Sequence, residues 1–199
     1  MRLRGLYAIT PEDIGRVAPA VASGALCALQ YRNKSATAAQ RLNEAKALAL
    51  LCRRHGVPLI VNDDVELALT VDAAGVHLGR DDGELGAARA RLRGRILGAS
   101  CYDRLDLAQR AVAAGADYVA FGSVFASPTK PGAVRAPLAL FGCDLGVPKV
   151  AIGGITVDNA AQLAAAGADA VAVLSDLFDA PDVAARAREY AKVFSRDIA

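Results

Sequence analysis

Short apolar runs alternate with longer stretches rich in Ala, Leu and Arg, and this alternation constrains the fold more than any other feature. The runs predict eight strands, over Leu6–Thr10, Leu26–Tyr31, Leu59–Asn62, Gly75–Leu78, Ile96–Ser100, Asp117–Gly122, Lys149–Ile152 and Ala170–Leu174. The stretches between them predict helices over Ala38–His55, Glu66–Asp72, Glu84–Leu92, Leu105–Ala114, Val157–Ala166 and Pro181–Phe194, with a weaker one between Ala136 and Gly146. Strands that alternate with helices form parallel sheets, so the pattern predicts a closed (β/α)8 TIM barrel, a single domain over residues 1–199. An open doubly wound sheet is the structural rival, but no G-x-G-x-x-G motif follows the first strand.

Composition narrows the classes of protein that this chain can represent. Hydrophobic residues make up 54% of it, which is ample for a core and excludes disorder. The balance of 23 basic and 21 acidic residues, without a Lys/Arg-rich block, argues against a nucleic-acid partner. No apolar run approaches the roughly 20 residues of a membrane span, and the start of the chain lacks the apolar region of a signal peptide, which predicts a cytoplasmic protein without membrane contact. The sequence leaves open whether the chain forms a homo-oligomer.

The four cysteines are scattered and form no C-x-x-C pair; they are Cys27, Cys52, Cys101 and Cys143. This spacing predicts reduced thiols rather than a disulfide framework or a zinc site.

Polar residues follow nearly every predicted strand. In order along the chain they are Gln30, Arg32 and Lys34; Asn62, Asp63 and Asp64; Arg80, Asp81 and Asp82; Ser100; Ser127, Thr129 and Lys130; Gly153 and Gly154; and Ser175. Parallel barrels bind ligands at the carboxyl ends of their strands. The repeated coincidence of polar chemistry with strand ends therefore predicts a binding site at that end of the barrel.

The acidic residues after the third and fourth strands have two interpretations. Asp64, and Asp81 or Asp82, can cap the helices that follow, while a neighbouring aspartate binds a cation. Two carboxylates on adjacent strand ends suit Mg²⁺, which takes few protein oxygens and keeps positions for phosphate and water. The sequence thus predicts an Mg²⁺ site on Asp63 and Asp82. The two histidines are not predicted as catalysts, and His77, inside a strand, is expected to be packed and hydrogen-bonded.

The stretch SVFASPTKPGA, at Ser123–Ala133, combines hydroxyl groups with one lysine between two prolines. It fits a phosphate-binding loop, and it also fits an ordinary surface turn. The glycines of IGGI at Ile152–Ile155 precede a helix, as in the phosphate sites common after the last two strands of barrels. Two anionic groups are therefore predicted: a phosphate near these glycines, and a pyrophosphate near Arg32, Lys34, Lys130 and the metal.

Motifs in register over nearly the whole chain resemble those of the thiamine-phosphate synthase family. They are GLYAIT, LQYRNK, VPLIVNDD, GVHLGRDD, LGAS, DYVAFGSVFASPTKPGA, VAIGGIT and AVAVLSDLFDAPD. The resemblance implies a transferase that joins 4-amino-2-methyl-5-(hydroxymethyl)pyrimidine diphosphate to 4-methyl-5-(2-phosphoethyl)thiazole, giving thiamine phosphate and pyrophosphate. It implies a dissociative, Mg²⁺-assisted substitution, in which a pyrimidine carbocation is attacked by the thiazole nitrogen.

The same resemblance implies roles for individual residues. Asp63 and Asp82 would bind Mg²⁺. The pyrimidine diphosphate would be held by Gln30, Arg32, Lys34, Asn62, Ser100 and Lys130, of which Arg32, Lys34, Ser100 and Lys130 would act in catalysis. The thiazole phosphate would be held by Ser127, Thr129, Gly154, Leu174 and Ser175.

The chain departs from the family pattern at Arg80, where Gln is usual, at Ser127, where Thr is commoner, and in its short first and sixth helices. None of these changes removes an expected ligand. Two alternatives stay open: a thiazole tautomerase of the same fold, and a non-catalytic thiamine-phosphate binding protein. The pyrophosphate and metal residues argue against both.

Overall fold

The computed structural model describes residues 3–80, 82–126 and 134–195. Its strands are β1 Gly5–Ile9, β2 Leu26–Tyr31, β3 Leu59–Asn62, β4 Gly75–Leu78, β5 Ile96–Tyr102, β6 Tyr118–Gly122, β7 Lys149–Ile152 and β8 Ala170–Val173. Every neighbouring pair is parallel, and β8 pairs with β1, so the sheet closes in the order of the sequence. The predicted (β/α)8 barrel is confirmed.

The helices that surround the barrel are α1 Val17–Ala22, α2 Ala38–His55, α3 Val65–Thr70, α4 Leu85–Leu92, α5 Leu105–Ala113, α6 Val157–Ala165, α7 Ser175–Phe178 and α8 Val183–Ser195. Two 3-10 helices, at Ile14–Arg16 and Leu138–Gly142, complete the set within the described residues. The weak helix that the sequence predicts after β6 is thus only a 3-10 helix, because Pro137 precedes it, Gly142 is its last residue and Gly146 follows soon after.

Helix ends are fixed by local chemistry. The Thr37 hydroxyl accepts a hydrogen bond from the Gln40 amide, and the Gln40 side chain accepts one from the Thr37 amide, which forms a capping box at the start of α2. Gly56 ends α2 in the left-handed conformation, with φ of 68°. This helix packs beside β2 and β3, the two strands whose ends carry most of the predicted basic and acidic site residues. No helix in the described ranges is long and apolar enough to cross a membrane.

The barrel has two apolar layers. The larger lies between the strands and the helices, and the smaller fills the barrel interior with residues that include Tyr7, Ile60, Tyr118, Val150 and Ala172. The Tyr118 ring lies where a side chain on Gly98 would be, so only glycine fits at this position of β5. Two tyrosine hydroxyls are thereby brought into the barrel interior, below the carboxyl ends of the strands.

Candidate active site

The closed register brings the predicted polar residues to one end of the barrel. Gln30 of β2 pairs with Ile60 of β3, while Asn62 ends β3 beside His77 of β4. Ser100 lies on β5, whose neighbour on the other side is β6. The described residues that the sequence predicts at four consecutive strand ends, β2 to β5, therefore surround one opening.

The loop after β2 is held in place by side chains that the sequence did not single out. The Tyr31 hydroxyl donates to Glu44 of α2 at 2.8 Å, and the Asn33 side-chain amide donates to the same carboxylate at 3.0 Å. The Arg32 amide donates to the Thr10 hydroxyl at 3.0 Å. These contacts fix the backbone of the segment that carries Arg32 and Lys34 while leaving the Lys34 side chain 63% exposed. A basic pair on an anchored loop is suited to binding an anion at the barrel mouth.

Asp63 and Asp82 lie together at the ends of β3 and β4. Burial and the neighbouring Asp82 carboxylate raise the pKa of Asp63, and Lys34 opposes this effect with its ammonium 3.3 Å from the Asp63 carboxylate. Asp82 is itself oriented by the Gly79 amide, which donates to it at 2.7 Å. Two carboxylates held in contact repel each other unless a cation lies nearby. Their oxygen chemistry fits a hard divalent cation such as Mg²⁺.

No cluster of three or more His, Cys, Asp or Glu residues occurs in the part of the chain that the structure describes.

Adjacent aspartates after β3 have different structural roles. Asp64 accepts a hydrogen bond from the Leu67 amide at 2.8 Å and pairs with Arg41 at 2.9 Å, so it caps α3. Asp63 has a φ of 63°, and its amide donates to the carbonyl of His77 at 2.9 Å. This left-handed backbone, which aspartate tolerates better than most residues, turns Asp63 away from the capping position. The predicted capping role is confirmed for Asp64, and the binding of a cation by Asp63 stays a prediction.

Arg80 lies beside a tyrosine. Its guanidinium is 4.7 Å from the centre of the Tyr102 ring, and its amide lies 3.4 Å from the Tyr102 hydroxyl. The Arg80 guanidinium is thus partly engaged in a cation–π contact with the Tyr102 ring.

His77 belongs to a buried hydrogen-bonded chain, as the sequence predicts for a histidine inside a strand. Its Nδ1 is 2.9 Å from the Tyr118 hydroxyl and its Nε2 is 2.8 Å from the Ser100 hydroxyl. Tyr118 in turn lies 2.8 Å from the Tyr7 hydroxyl, which accepts a bond from the Gln30 amide at 3.0 Å. Burial lowers the pKa of His77 to about 4, against a weaker opposite effect of Asp82, so the imidazole is neutral at pH 7.

The neutral His77 makes the fold sensitive to acid. The folded protein binds this proton more weakly than the unfolded chain, whose His pKa is near 6.5, so stability is lost as the pH falls below 6.5. We expect the free energy of unfolding to fall by about 2 kcal/mol between pH 6.5 and pH 5 through this group alone. Denaturant titrations of wild type and His77→Gln should show a shallower pH slope in the variant. His55→Gln, which changes an exposed histidine at the end of α2, should keep the wild-type slope.

The loops after β6 and β7 pack directly on each other. The Val124 amide donates to the Ile152 carbonyl and the Phe125 amide to the Gly153 carbonyl, both at 3.0 Å. Gly153 and Gly154 have φ of 103° and 64°, and a side chain on Gly154 would collide with the backbone of Phe125 and Ala126. Glycine at this position is thus required for the close approach of the two loops.

Two further contacts define the surroundings of these loops. The Asn159 side chain donates to the Gly154 carbonyl at 3.0 Å, which ties the turn to the first turn of α6. The Ala136 amide donates to the Ser123 carbonyl at 2.9 Å, which joins the two ends of the segment between them. Directly after β8, Leu174 precedes α7 and Ser175 is the first residue of that helix. Ser127, Thr129, Lys130 and Asp81 lie outside the described residues.

Sequence reasoning missed the tyrosines in the barrel interior and the anchor at Asn33. Tyr7 and Tyr118 read as ordinary apolar strand residues, and nothing local signals that their hydroxyls meet across 111 residues. For Asn33 a signal existed: asparagine favours turns in which its side chain bonds a nearby amide, and here it accepts from Ala36 at 3.1 Å.

The same chain is similar to known proteins over nearly its whole length. The family model described as thiamine monophosphate synthase matches residues 6–177. A thiamine-phosphate synthase from Aromatoleum aromaticum is 57% identical, with 97% of each chain covered. Another from Methylobacillus flagellatus is 54% identical, with 97% of this chain and 96% of that one covered.

A comparison with solved structures supports the same family. Thiamine phosphate pyrophosphorylase from Pyrococcus furiosus superposes with a TM-score of 0.87 at 35% identity, covering 97% of this chain and 96% of its own. A 3-hexulose-6-phosphate synthase superposes with a TM-score of 0.71 at 16% identity, which shows a shared fold alone. The family model spans most of the barrel, and curated relatives are more than half identical at nearly full coverage. The chain therefore belongs to the thiamine-phosphate synthase family.

Proposed function

We propose that this chain joins 4-amino-2-methyl-5-(hydroxymethyl)pyrimidine diphosphate to 4-methyl-5-(2-phosphoethyl)thiazole, releasing pyrophosphate and forming thiamine phosphate. The observation that carries the proposal is the charge arrangement at the ends of β2, β3 and β4. There the paired carboxylates of Asp63 and Asp82 lie beside the Lys34 ammonium. Adjacent positive and negative groups at one strand end suit a diphosphate that is bound through both a divalent cation and basic side chains.

The proposed metal residues are Asp63 and Asp82. Mg²⁺ bound there would neutralise charge on the diphosphate. The raised pKa of Asp63 supports this assignment, because the site disfavours a second bare carboxylate and a cation relieves that cost.

The leaving diphosphate is the group that needs stabilisation. In a dissociative substitution negative charge grows on it as the carbon–oxygen bond breaks, so cations fixed near it stabilise the transition state more than the ground state. We assign this role to Arg32, Lys34 and Lys130, with the Ser100 hydroxyl as a hydrogen-bond donor. Gln30 and Asn62 would hold the pyrimidine. The attacking thiazole nitrogen carries no proton, so the reaction needs no general base, which agrees with a neutral, buried His77.

The second substrate would lie at the other side of the opening. We assign the thiazole phosphate to Gly154, to the backbone at Leu174 and to the hydroxyls of Ser127, Thr129 and Ser175. The positive φ at Gly154 supports this assignment, since a turn without a side chain lets backbone amides approach an anion.

We also propose that residues 1–199 form one domain. We propose a cytoplasmic location as well, which the four free cysteines support.

One mixing experiment tests the function. Purified protein is incubated with both substrates, and thiamine phosphate and released pyrophosphate are measured with Mg²⁺ and with excess chelator. We expect equal amounts of the two products with Mg²⁺ and neither with chelator. Equal turnover in chelator would contradict the metal assignment. Binding of both substrates without turnover would contradict the enzymatic proposal, as would isomerisation of a thiazole phosphate alone.

A further inference from the structure

A continuous chain of hydrogen bonds crosses the barrel interior from β2 to β5. It runs from the Gln30 amide through the hydroxyls of Tyr7 and Tyr118 to the imidazole of His77 and the hydroxyl of Ser100, with steps of 3.0, 2.8, 2.9 and 2.8 Å. The three inner members are at most 7% exposed. Its two end residues are both among those assigned to the first substrate. This hydrogen-bond chain therefore connects two parts of one binding site through buried groups.

With the Gln30 side-chain nitrogen toward Tyr7, counting hydrogens gives this hydrogen-bond chain a single direction. Gln30 Nε2 donates to the Tyr7 oxygen, so the hydrogen of Tyr7 must go to Tyr118 if it is to be paired. The Tyr118 hydrogen then goes to Nδ1 of His77. A neutral imidazole with an unprotonated Nδ1 carries its hydrogen on Nε2 and donates it to Ser100. With Gln30 Nε2 as the donor, any other arrangement leaves a buried hydroxyl hydrogen without an acceptor in this hydrogen-bond chain, which is costly.

The direction determines what each end offers to a ligand. Gln30 uses its amide nitrogen internally, and its Oε1 accepts no hydrogen bond from any described residue. Gln30 lies next to the carboxyl end of β2, so we place its Oε1 at the barrel opening. At the other end the Ser100 oxygen is occupied by the His77 N–H, and its own hydrogen is available. One end thus presents an acceptor and the other a donor.

We propose that Tyr7, Tyr118 and His77 are positioning residues that fix this polarity and so select a 4-aminopyrimidine diphosphate over its 4-oxo counterpart. The amino group donates to Gln30 Oε1, while the diphosphate accepts the Ser100 hydrogen. A 4-oxo group would place its carbonyl oxygen against the Gln30 carbonyl oxygen. The Gln30 amide cannot rotate by half a turn to avoid this without reversing every bond in the hydrogen-bond chain. This inference rests on the proposed function and concerns its specificity.

Equilibrium binding of the two pyrimidine diphosphates, with Mg²⁺ present and the thiazole phosphate omitted, tests the proposal. Wild type should bind the amino compound at least about tenfold more tightly than the oxo compound. In Tyr118→Phe the Tyr7 hydroxyl loses its acceptor and donates to Gln30 Oε1 instead, which turns the amide nitrogen toward the ligand. The amino/oxo ratio should then fall at least about tenfold. A merely structural role would weaken both ligands equally.

Tyr190→Phe is the matched control. It also removes a hydroxyl from a buried tyrosine, here one bonded to Asp176 at 2.7 Å, but outside the barrel interior. Its amino/oxo ratio should equal that of wild type. An unchanged ratio in Tyr118→Phe would overturn the inference while leaving the proposed function intact. Failure of wild type to bind either compound would instead count against the proposed function.

A measurement on unsubstituted protein keeps the test decisive if Tyr118→Phe does not fold. The chain has two histidines, so ¹⁵N-histidine NMR with His55→Gln for assignment isolates the signals of His77. We expect a protonated Nε2 and an unprotonated Nδ1. The opposite tautomer would reverse the chain and overturn the proposal.

Discussion

Asp63→Asn is expected to lower the rate of thiamine phosphate formation by about 100-fold or more at saturating Mg²⁺. Losing a group that only supports a metal ligand typically costs 10–100-fold, so losing a proposed ligand should cost at least that much. The fold should tolerate the change. Asparagine accepts the left-handed backbone at φ of 63°, and the variant removes the repulsion between Asp63 and Asp82. In metal-free buffer the melting temperature should therefore equal or exceed that of wild type, and the increase that Mg²⁺ produces in wild type should disappear.

The neighbouring residue supplies the control. Asp64→Ala removes the cap of α3 and the pair with Arg41, which should cost about 1 kcal/mol of stability. Its steady-state rate and its Mg²⁺ dependence should stay near those of wild type. If Asp63→Asn were active and Asp64→Ala inactive, the assignment of metal binding to Asp63 would be wrong.

Gly154→Ala is expected to reduce kcat/KM for the thiazole phosphate by about 100-fold, with a smaller effect on binding of the pyrimidine diphosphate. The added methyl group collides with the backbone of Phe125 and Ala126, so the loops after β6 and β7 must separate. Backbone groups offered to a phosphate lose their alignment when such a turn moves by even an ångström. Steady-state kinetics with each substrate varied in turn would measure the asymmetry.

Gly146→Ala separates this collision from backbone strain. Gly146 has a φ of 69°, close to the 64° of Gly154, but nothing lies within 4 Å of the position where a side chain would be added. Both substitutions force alanine into the left-handed region, at a cost of roughly 1–2 kcal/mol. We expect Gly146→Ala to lose stability and keep wild-type kinetics. Equal kinetic losses in both variants would attribute the Gly154 effect to strain in the fold rather than to the loop contact.

Local patterns predicted most of the architecture. Strands such as Leu26–Tyr31 and Gly75–Leu78 have the predicted bounds, because each is an apolar run ended by polar residues or glycine. The pairing of Asp63 with Asp82 also followed from the sequence, since adjacent parallel strands end side by side. The metal and the substrate contacts assigned to these residues stay predictions.

Other features depend on the closure of the barrel and have no local signature. The Tyr7–Tyr118 contact exists because β1 and β6 face each other across the interior, and glycine at position 98 leaves room for the second ring. The short α7 was missed because one turn beginning directly after a strand has no periodicity to detect. The 3-10 helix after β6 reflects spacing of Pro and Gly that forbids a longer one.

The hydrogen bond between Ala136 and Ser123 has a consequence for the evolution of this barrel. It closes the hydroxyl-rich segment between them at its base, next to the strand, so the length and composition of the segment can change without altering the register of β6 and β7. We therefore expect such a segment to be exchangeable between relatives. Transplanting residues 126–135, which follow the backbone bonds of Val124 and Phe125, from a relative with a different second substrate should carry the preference with it when the transplanted segment keeps Lys130 for the diphosphate.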